Sequence, residues 1–250
     1  MIIISLVNKL MLKKNEIKIS ILIPCYNEVN TIKEIIKKVN YNLQLYSFND
    51  YEILVVDDYS NDGTSEILKQ ISLEKNIKIF SHTQNLGKGA AVHTGIENTT
   101  GDILIIQDAD LEYDPSDYDK LLRPFFEADA DIVYGSRFIG GGKYVRIHFF
   151  WHYLANKIIT FVCNMFTNLN LTDVETGYKV FKTSCLKNVK LKEKSFSFEP
   201  EITIKLAKKK FKFFEVPISY NGRSYNEGKK IGLKDAFIAF KAIFIYSITK

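Results

Sequence analysis

Gly101-Asp102-Ile103-Leu104-Ile105-Ile106-Gln107-Asp108-Ala109-Asp110-Leu111-Glu112-Tyr113-Asp114-Pro115 holds the reading that decides the fold. Ile103 to Ile106 is a short, bulky, mostly β-branched run, which reads as a buried strand. It ends abruptly in Asp108-Ala109-Asp110, with Glu112 two residues on and Asp114-Pro115 opening a turn. Carboxylates at the carboxyl end of a buried strand stand where open α/β sheets bind ligands. Two or three of them meeting at one point repel each other unless a cation sits between them. Hard oxygen donors suit Mg²⁺ or Mn²⁺, ions that also take the oxygens of a diphosphate. An Asp-x-Asp triplet alone also describes a solvated acidic turn. Its surroundings carry the weight.

Upstream, the same arrangement recurs three times. The strand expected over 17–24 empties into Cys25-Tyr26-Asn27-Glu28, and Ile32, Ile35, Ile36, Val39 and Leu43 then follow at helical spacing. A second strand, 51–56, empties into Asp57-Asp58-Tyr59-Ser60-Asn61-Asp62-Gly63-Thr64 before a short helix, 65–71. A third, 77–80, precedes Asn85-Leu86-Gly87-Lys88-Gly89 and a helix over 90–98. Alternating strand and helix predict a mostly parallel sheet with right-handed crossovers. The four polar clusters then lie along one edge of that sheet. One cluster is chance; four make a site.

Downstream, a helix is expected after Pro115, reaching about Glu127, and a fifth strand over 130–134, ending in Gly135-Ser136-Arg137. Gly140-Gly141-Gly142 reads as a hinge, and 148–168 as a long aromatic helix. A strand ends at Phe181, and a helix opens at Phe198-Glu199-Pro200-Glu201, with proline at an early helical position. Pro217 marks the strand expected over 211–220 as an edge. A polar loop, 221–230, leads to a closing helix over 232–246. The divisions expected are an N-terminal extension, 1–16, a catalytic domain, 17–230, and an amphipathic C-terminal helix, 231–250.

The 250 residues suffice for a proper core. A hydrophobic content of 46%, a charged fraction of 25% and a net charge of +5 are ordinary for a globular chain and too mild to argue for nucleic acid. Basic runs in the last third fit a solvated helix face, an anionic surface or an anionic substrate. Three cysteines without metal-type spacing point to a reduced, cytoplasmic compartment. Residues 1–12 lack the features of a secretory signal, and Met11 is an alternative start. No run of eighteen apolar residues predicts a transmembrane helix. The four histidines show no zinc-type grouping.

With these residues placed, the chain resembles family 2 glycosyltransferases of the kind typified by dolichol-phosphate mannose synthases. The matching segments are Ile-Pro-Cys-Tyr-Asn-Glu (23–28), Val-Val-Asp-Asp-Tyr-Ser-Asn-Asp-Gly-Thr (55–64), Asn-Leu-Gly-Lys-Gly (85–89), Asp-Ala-Asp-Leu-Glu (108–112), Gly-Ser-Arg (135–137) and Thr-Gly-Tyr-Lys-Val-Phe (176–181), with Phe-Glu-Pro-Glu (198–201) and Glu-Val-Pro-Ile (215–218). The resemblance implies a glycosyltransferase A-type α/β fold, a nucleotide-diphospho-sugar donor (GDP-mannose or UDP-glucose type), a divalent cation and inverting transfer of a hexose. It implies that Pro24, Tyr26, Glu28 and Asp57 hold the nucleotide and that Asn85, Gly87 and Lys88 lie near the donor. Asp108, Asp110 and Glu112 would bind the metal, Asp108 and Asp110 also meeting the diphosphate. Arg137 would dock a polyprenyl or dolichyl phosphate, whose anionic oxygen needs no general base. The loop carrying Arg223 and Lys229 would close over the diphosphate.

Two departures from the family pattern matter. Glu175 stands where a small hydroxyl residue is expected. With Asp173 two residues earlier, it suits a general base for a hydroxyl acceptor in cell-surface glycan synthesis; the other reading pairs Glu175 with Lys179 or Arg137. The C-terminal membrane span of many such synthases is also missing. The helices over 148–168 and 232–246 then have three candidate partners: the inner face of the cytoplasmic membrane, the sheet, or a second copy in a homodimer. A nucleotidyltransferase, the rival from another class, needs a glycine-rich basic loop directly after the first strand, where Pro-Cys-Tyr-Asn-Glu stands. A non-catalytic sugar-nucleotide-binding module would have no use for the intact acidic triplet.

Overall fold

The computed structural model describes residues 16–141, 143–146, 149–223 and 233–249. Its centre is β1 (Ile19–Cys25), buried at every position. Side chains alternate across a strand, so Ile19, Ile21 and Ile23 join the core on one face while Leu22 joins the core on the other. Parallel to β1 lie β2 (Tyr51–Asp57) and β4 (Ile103–Ile106), and β3 (Ile77–Ser81) runs parallel to β2. Beyond β4 the sheet continues through β6 (Lys179–Lys182), β5 (Ile132–Ser136) and β7 (Phe213–Pro217), in the order β3-β2-β1-β4-β6-β5-β7.

Three helices make the early crossovers: α1 (Ile32–Leu45), α2 (Thr64–Ile71) and α3 (Lys88–Asn98). A 3₁₀ turn, Pro115–Asp117, leads into α4 (Tyr118–Glu127). Next come α5 (Phe150–Thr167), the single turn α6 (Thr183–Leu186), α7 (Phe198–Ala207) and α8 (Leu233–Ile248). Apolar residues of α1, α2 and α4 cover one face of the sheet; those of α3, α5, α7 and α8 cover the other.

The parallel first half fixes the geometry that matters. Because β1 to β4 run the same way, all four following loops emerge at one rim. The second half departs from plain alternation, since β6 is antiparallel to both β4 and β5. It is four residues long, and nothing in its composition encodes direction. The Pro217 expectation holds: β7 pairs with β5 at the end of the sheet, and Pro217 closes the strand. The helix expected after Pro115 is preceded by the 3₁₀ turn, which is capped by the Asp114 carboxylate accepting from the Ser116 N–H at 2.9 Å.

At the opposite rim, a buried carboxylate ties strands together. Glu52 accepts from Ser20 Oγ at 2.7 Å, Lys78 Nζ at 2.8 Å, and both the amide and the hydroxyl of Thr100 at 2.8 Å. Burial opposes its ionisation, yet these donors hold its carboxyl down at about 2.

Candidate active site

A cavity of about 920 Å³ opens at the carboxyl ends of the parallel strands, within the size range of small-molecule sites. Its wall includes Pro24, Tyr26, Glu28, Asn85, Gly87, Lys88, Asp108, Asp110, Glu112, Arg137, Glu175 and Arg223. Residues expected to cooperate from positions nearly 200 apart in the chain therefore share one hollow. Asp57 is not part of that wall. Its carboxylate accepts from Ser60 N at 3.1 Å and Ser65 Oγ at 2.6 Å, bracing its own loop. The adjacent Asp58 lines the cavity instead. Lys229 lies outside the described residues.

The acidic end is the most charged part. Asp110 and Glu112 share Arg223: NH2 donates to Asp110 Oδ2 at 2.6 Å and Nε to Glu112 Oε1 at 3.0 Å. Arg223 NH1 lies 3.6 Å from Glu28. Tyr220 donates its phenol proton to the second oxygen of Glu112 at 2.7 Å. Asp108 faces Lys88, whose Nζ is 2.7 Å away. Burial, then repulsion from Asp108 and Glu112, push the Asp110 carboxyl up to about 7 against the pull of Arg223. Among the described residues no three His, Cys, Asp or Glu side chains converge closely enough to hold a metal as they stand. The chemistry of the donor set nonetheless fits a hard divalent cation: it is oxygen-only, and its crowding demands positive charge, here supplied by Arg223 and Lys88.

The loop bearing these carboxylates is held from beneath. Leu111 adopts a left-handed conformation, φ +63°, which costs a non-glycine residue free energy and persists only when its surroundings enforce it. Gln107, fully buried, supplies part of that support. Its Oε1 accepts from the phenols of Tyr118 and Tyr178, both at 2.8 Å, and its Nε2 donates to the Asp108 carbonyl at 3.0 Å. Tyr113 packs between Tyr178 and Tyr220, with ring centroids 5.0 and 5.2 Å away. The Tyr113 phenol accepts from the Gly177 N–H at 2.9 Å.

Asp58 organises the Asn85–Lys88 loop. It accepts from the amides of Leu86 and Gly87, at 2.9 and 2.7 Å, and its Oδ1 lies 2.7 Å from His82 Nδ1. Gly87, expected near the donor, packs closely against protein backbone. Gly87 has φ +97°, and an added Cβ would fall 2.4 Å from the Lys194 carbonyl oxygen.

Farther along the cavity, Arg137 makes a two-pronged pair with the fully buried Asp173, Nε to Oδ2 and NH2 to Oδ1 both at 2.7 Å. The same guanidinium donates to the Glu175 carbonyl at 3.1 Å and lies 5.2 Å from the Tyr220 ring centroid. Neither pairing anticipated for the Glu175 side chain forms a hydrogen bond to its Oε1, which is buried without a partner. Lys179 instead donates to Glu199 and to the carbonyls of Val174 and Thr176. Glu199 also lies 3.5 Å from Lys88, so it connects the acidic end to the 174–177 loop. Phe-Glu-Pro-Glu was visible in the sequence, but a glutamate opening a helix reads as a helix-dipole residue. Its cationic partners, Lys88 and Lys179, are far away in the chain.

An apolar stretch of the wall comes from α5 and α8, through Trp151, Leu154, Ala155, Ile158, Ile159 and Ala236, with His152 and Asn156 of α5 beside it. It continues onto an exposed aromatic surface: Trp151 is 74% exposed, Phe161 65% and Phe237 81%. Phe166 of α5 meets Phe244 of α8 edge-on at 6.4 Å. No described helix is long and apolar enough to cross a membrane.

An α/β sheet with acidic and cationic side chains gathered where its parallel strands end has the geometry of a ligand-binding site. Residues 20–190 match the Glycosyl transferase family 2 domain, and the chain belongs to that family. It is similar to a dolichol-phosphate mannosyltransferase from Pyrococcus furiosus, 30% identical over 216 residues that cover 86% of this chain and 60% of that relative. The chain thus spans about three-fifths of that protein's length. An undecaprenyl-phosphate mannosyltransferase from Micrococcus luteus is 28% identical over 222 residues, 84% of this chain and 86% of the relative. In fold, glucosyl-3-phosphoglycerate synthase from Mycobacterium tuberculosis, solved with Mn²⁺, uridine diphosphate and phosphoglyceric acid, aligns with a TM-score of 0.70 at 17% identity, over 98% of this chain and 83% of that one.

Proposed function

We propose that this enzyme transfers one hexose, with inversion, from a nucleotide-diphospho-sugar to a polyprenyl phosphate presented at a membrane surface. The observation that carries the reading is a single cavity whose wall holds carboxylates, Arg137, and an apolar stretch that includes the exposed Trp151. A donor diphosphate suits the first, a phosphate the second, an isoprenoid chain the third. The names of the Pyrococcus and Micrococcus relatives, both lipid-phosphate mannosyltransferases, support the acceptor.

Pro24, Tyr26, Glu28 and Asp58 form the nucleotide side, with Asp57 bracing the loop that carries Asp58. Mg²⁺ or Mn²⁺, held by Asp108, Asp110 and Glu112, would neutralise the charge that develops on the departing diphosphate. Lys88 adds positive charge at the same end. Arg137, fixed in orientation by Asp173, would dock the acceptor phosphate. The aromatic faces of α5 and α8 rest on the bilayer, which keeps the protein peripheral.

The second reading, a hydroxyl acceptor with a carboxylate base, has one observation in its favour, the unpartnered Glu175 Oε1. Asp173 suits the role poorly: burial opposes its ionisation, but Arg137 and Asn156 occupy both its oxygens and hold its carboxyl below the usual range. The test supplies purified protein with radiolabelled GDP- and UDP-hexoses and either polyprenyl phosphate or a hydroxyl-bearing glycan. A lipid-linked, mild-acid-labile product is expected. Label entering only the glycan would select the second reading.

A further inference from the structure

Glu175 is the one cavity side chain whose buried oxygen has no hydrogen-bond partner among the described residues lining that wall. Such an atom is costly unless a ligand satisfies it. Its surroundings are charged on every side. Glu199 faces it from α7, Lys179 from β6, Arg137 from the end of β5 and Asp173 from its own loop, while α5 contributes Cys163. The two cations are already engaged. An ammonium has three protons to donate, and those of Lys179 go to Glu199 and to the carbonyls of Val174 and Thr176. Arg137 grips Asp173 through two nitrogens and reaches only the backbone of Glu175.

On the reading that the acceptor is a polyprenyl phosphate, we propose that Glu175 works as a neutral carboxylic acid, donating a hydrogen bond to the acceptor phosphate beside Arg137, and not as a general base. A phosphate monoester is anionic near neutral pH, with a second ionisation near 6, so its oxygen needs no base to remove a proton. An ionised Glu175 would repel it, whereas a protonated one supplies the missing partner for both groups. Burial first, then Glu199, push the Glu175 carboxyl up to about 7, overcoming the pull of Lys179 and Arg137. Cys163 adds no charge there, because burial drives its thiol up to about 12. Bound phosphate favours the protonated form further.

The test compares wild type with Glu175→Gln, whose amide also donates, across pH 6 to 9. In wild type the KM for polyprenyl phosphate should rise above pH 7, approaching about tenfold per pH unit. Glu175→Gln should cost less than about tenfold in acceptor kcat/KM at pH 6.5, one hydrogen bond's difference, and should lose the alkaline rise. A fall of about 10² to 10⁴ at every pH would identify a base and overturn the proposal, and so would an alkaline rise that persists in the variant. An independent reading comes from wild-type protein carrying ¹³C-labelled glutamate carboxyls, the Glu175 signal being assigned by its loss in the variant. It should titrate near neutrality and move upward on adding a short-chain polyprenyl phosphate. Titration in the ordinary carboxylate range, or no response to the phosphate, would overturn the proposal. Absence of sugar transfer from every donor would count against the acceptor assignment, and the resonance would still report on Glu175.

Discussion

Gly87 illustrates how one residue ties the donor loop to the rest of the molecule. Its left-handed φ and the 2.4 Å gap that a Cβ would leave to the Lys194 carbonyl both require glycine. Gly87→Ala should lower the free energy of unfolding by about 1–3 kcal/mol, from backbone strain and a forced shift of the 193–195 segment. Urea titration measures this, and a loss under about 0.5 kcal/mol would show that the segment yields freely. The same scale shows what the sequence could convey. Asp108, Asp110, Glu112 and Lys88 were legible because each follows a recognisable strand. Asp57 and Asp58 were not separable, since which neighbour turns into the cavity depends on where β2 ends. Arg223 is close to its carboxylate partners only through the fold, more than 100 residues from Asp110 in the chain.

Among the elements, α5 and α8 carry the membrane part of the account. An amphipathic element normally buries its apolar side; α5 does so through Ile159 and Cys163, yet it leaves Phe150, Phe161 and Met165 exposed on another side. Exposed apolar patches of this kind mark interaction surfaces. Replacing Phe161 and Met165 together by serine should weaken binding to vesicles containing anionic lipid at least about tenfold, given about 1 kcal/mol or more for each inserted side chain. Vesicle co-sedimentation reads the effect. Unchanged binding, or a dimer that dissociates on the same substitution, would reassign this face to contact between copies. The aromatic run was plain in the sequence, but its exposure was not: helical spacing describes a buried stripe and a membrane-facing one alike. The reversal of β6 was equally hidden, because strand direction is set by the long excursion through α5 and by no residue within the strand.

For the molecule as a whole, the parallel order of β1 to β4 is the fact from which function follows. It gathers four loops at one rim, where carboxylates from β4 meet the cations Lys88 and Arg223 and face an apolar wall from α5 and α8. Charge balance at that rim is then the central claim: the acidic set exists to share a divalent cation with a donor diphosphate. Calorimetric titration of UDP and GDP, with Mn²⁺ and in excess chelator, tests it without depending on catalysis. At least one nucleotide should bind wild-type protein about tenfold or more tightly with the metal present, and Asp110→Asn should remove that difference while leaving the melting transition intact. Equal affinity in chelator, or a metal effect that survives in the variant, would contradict the account.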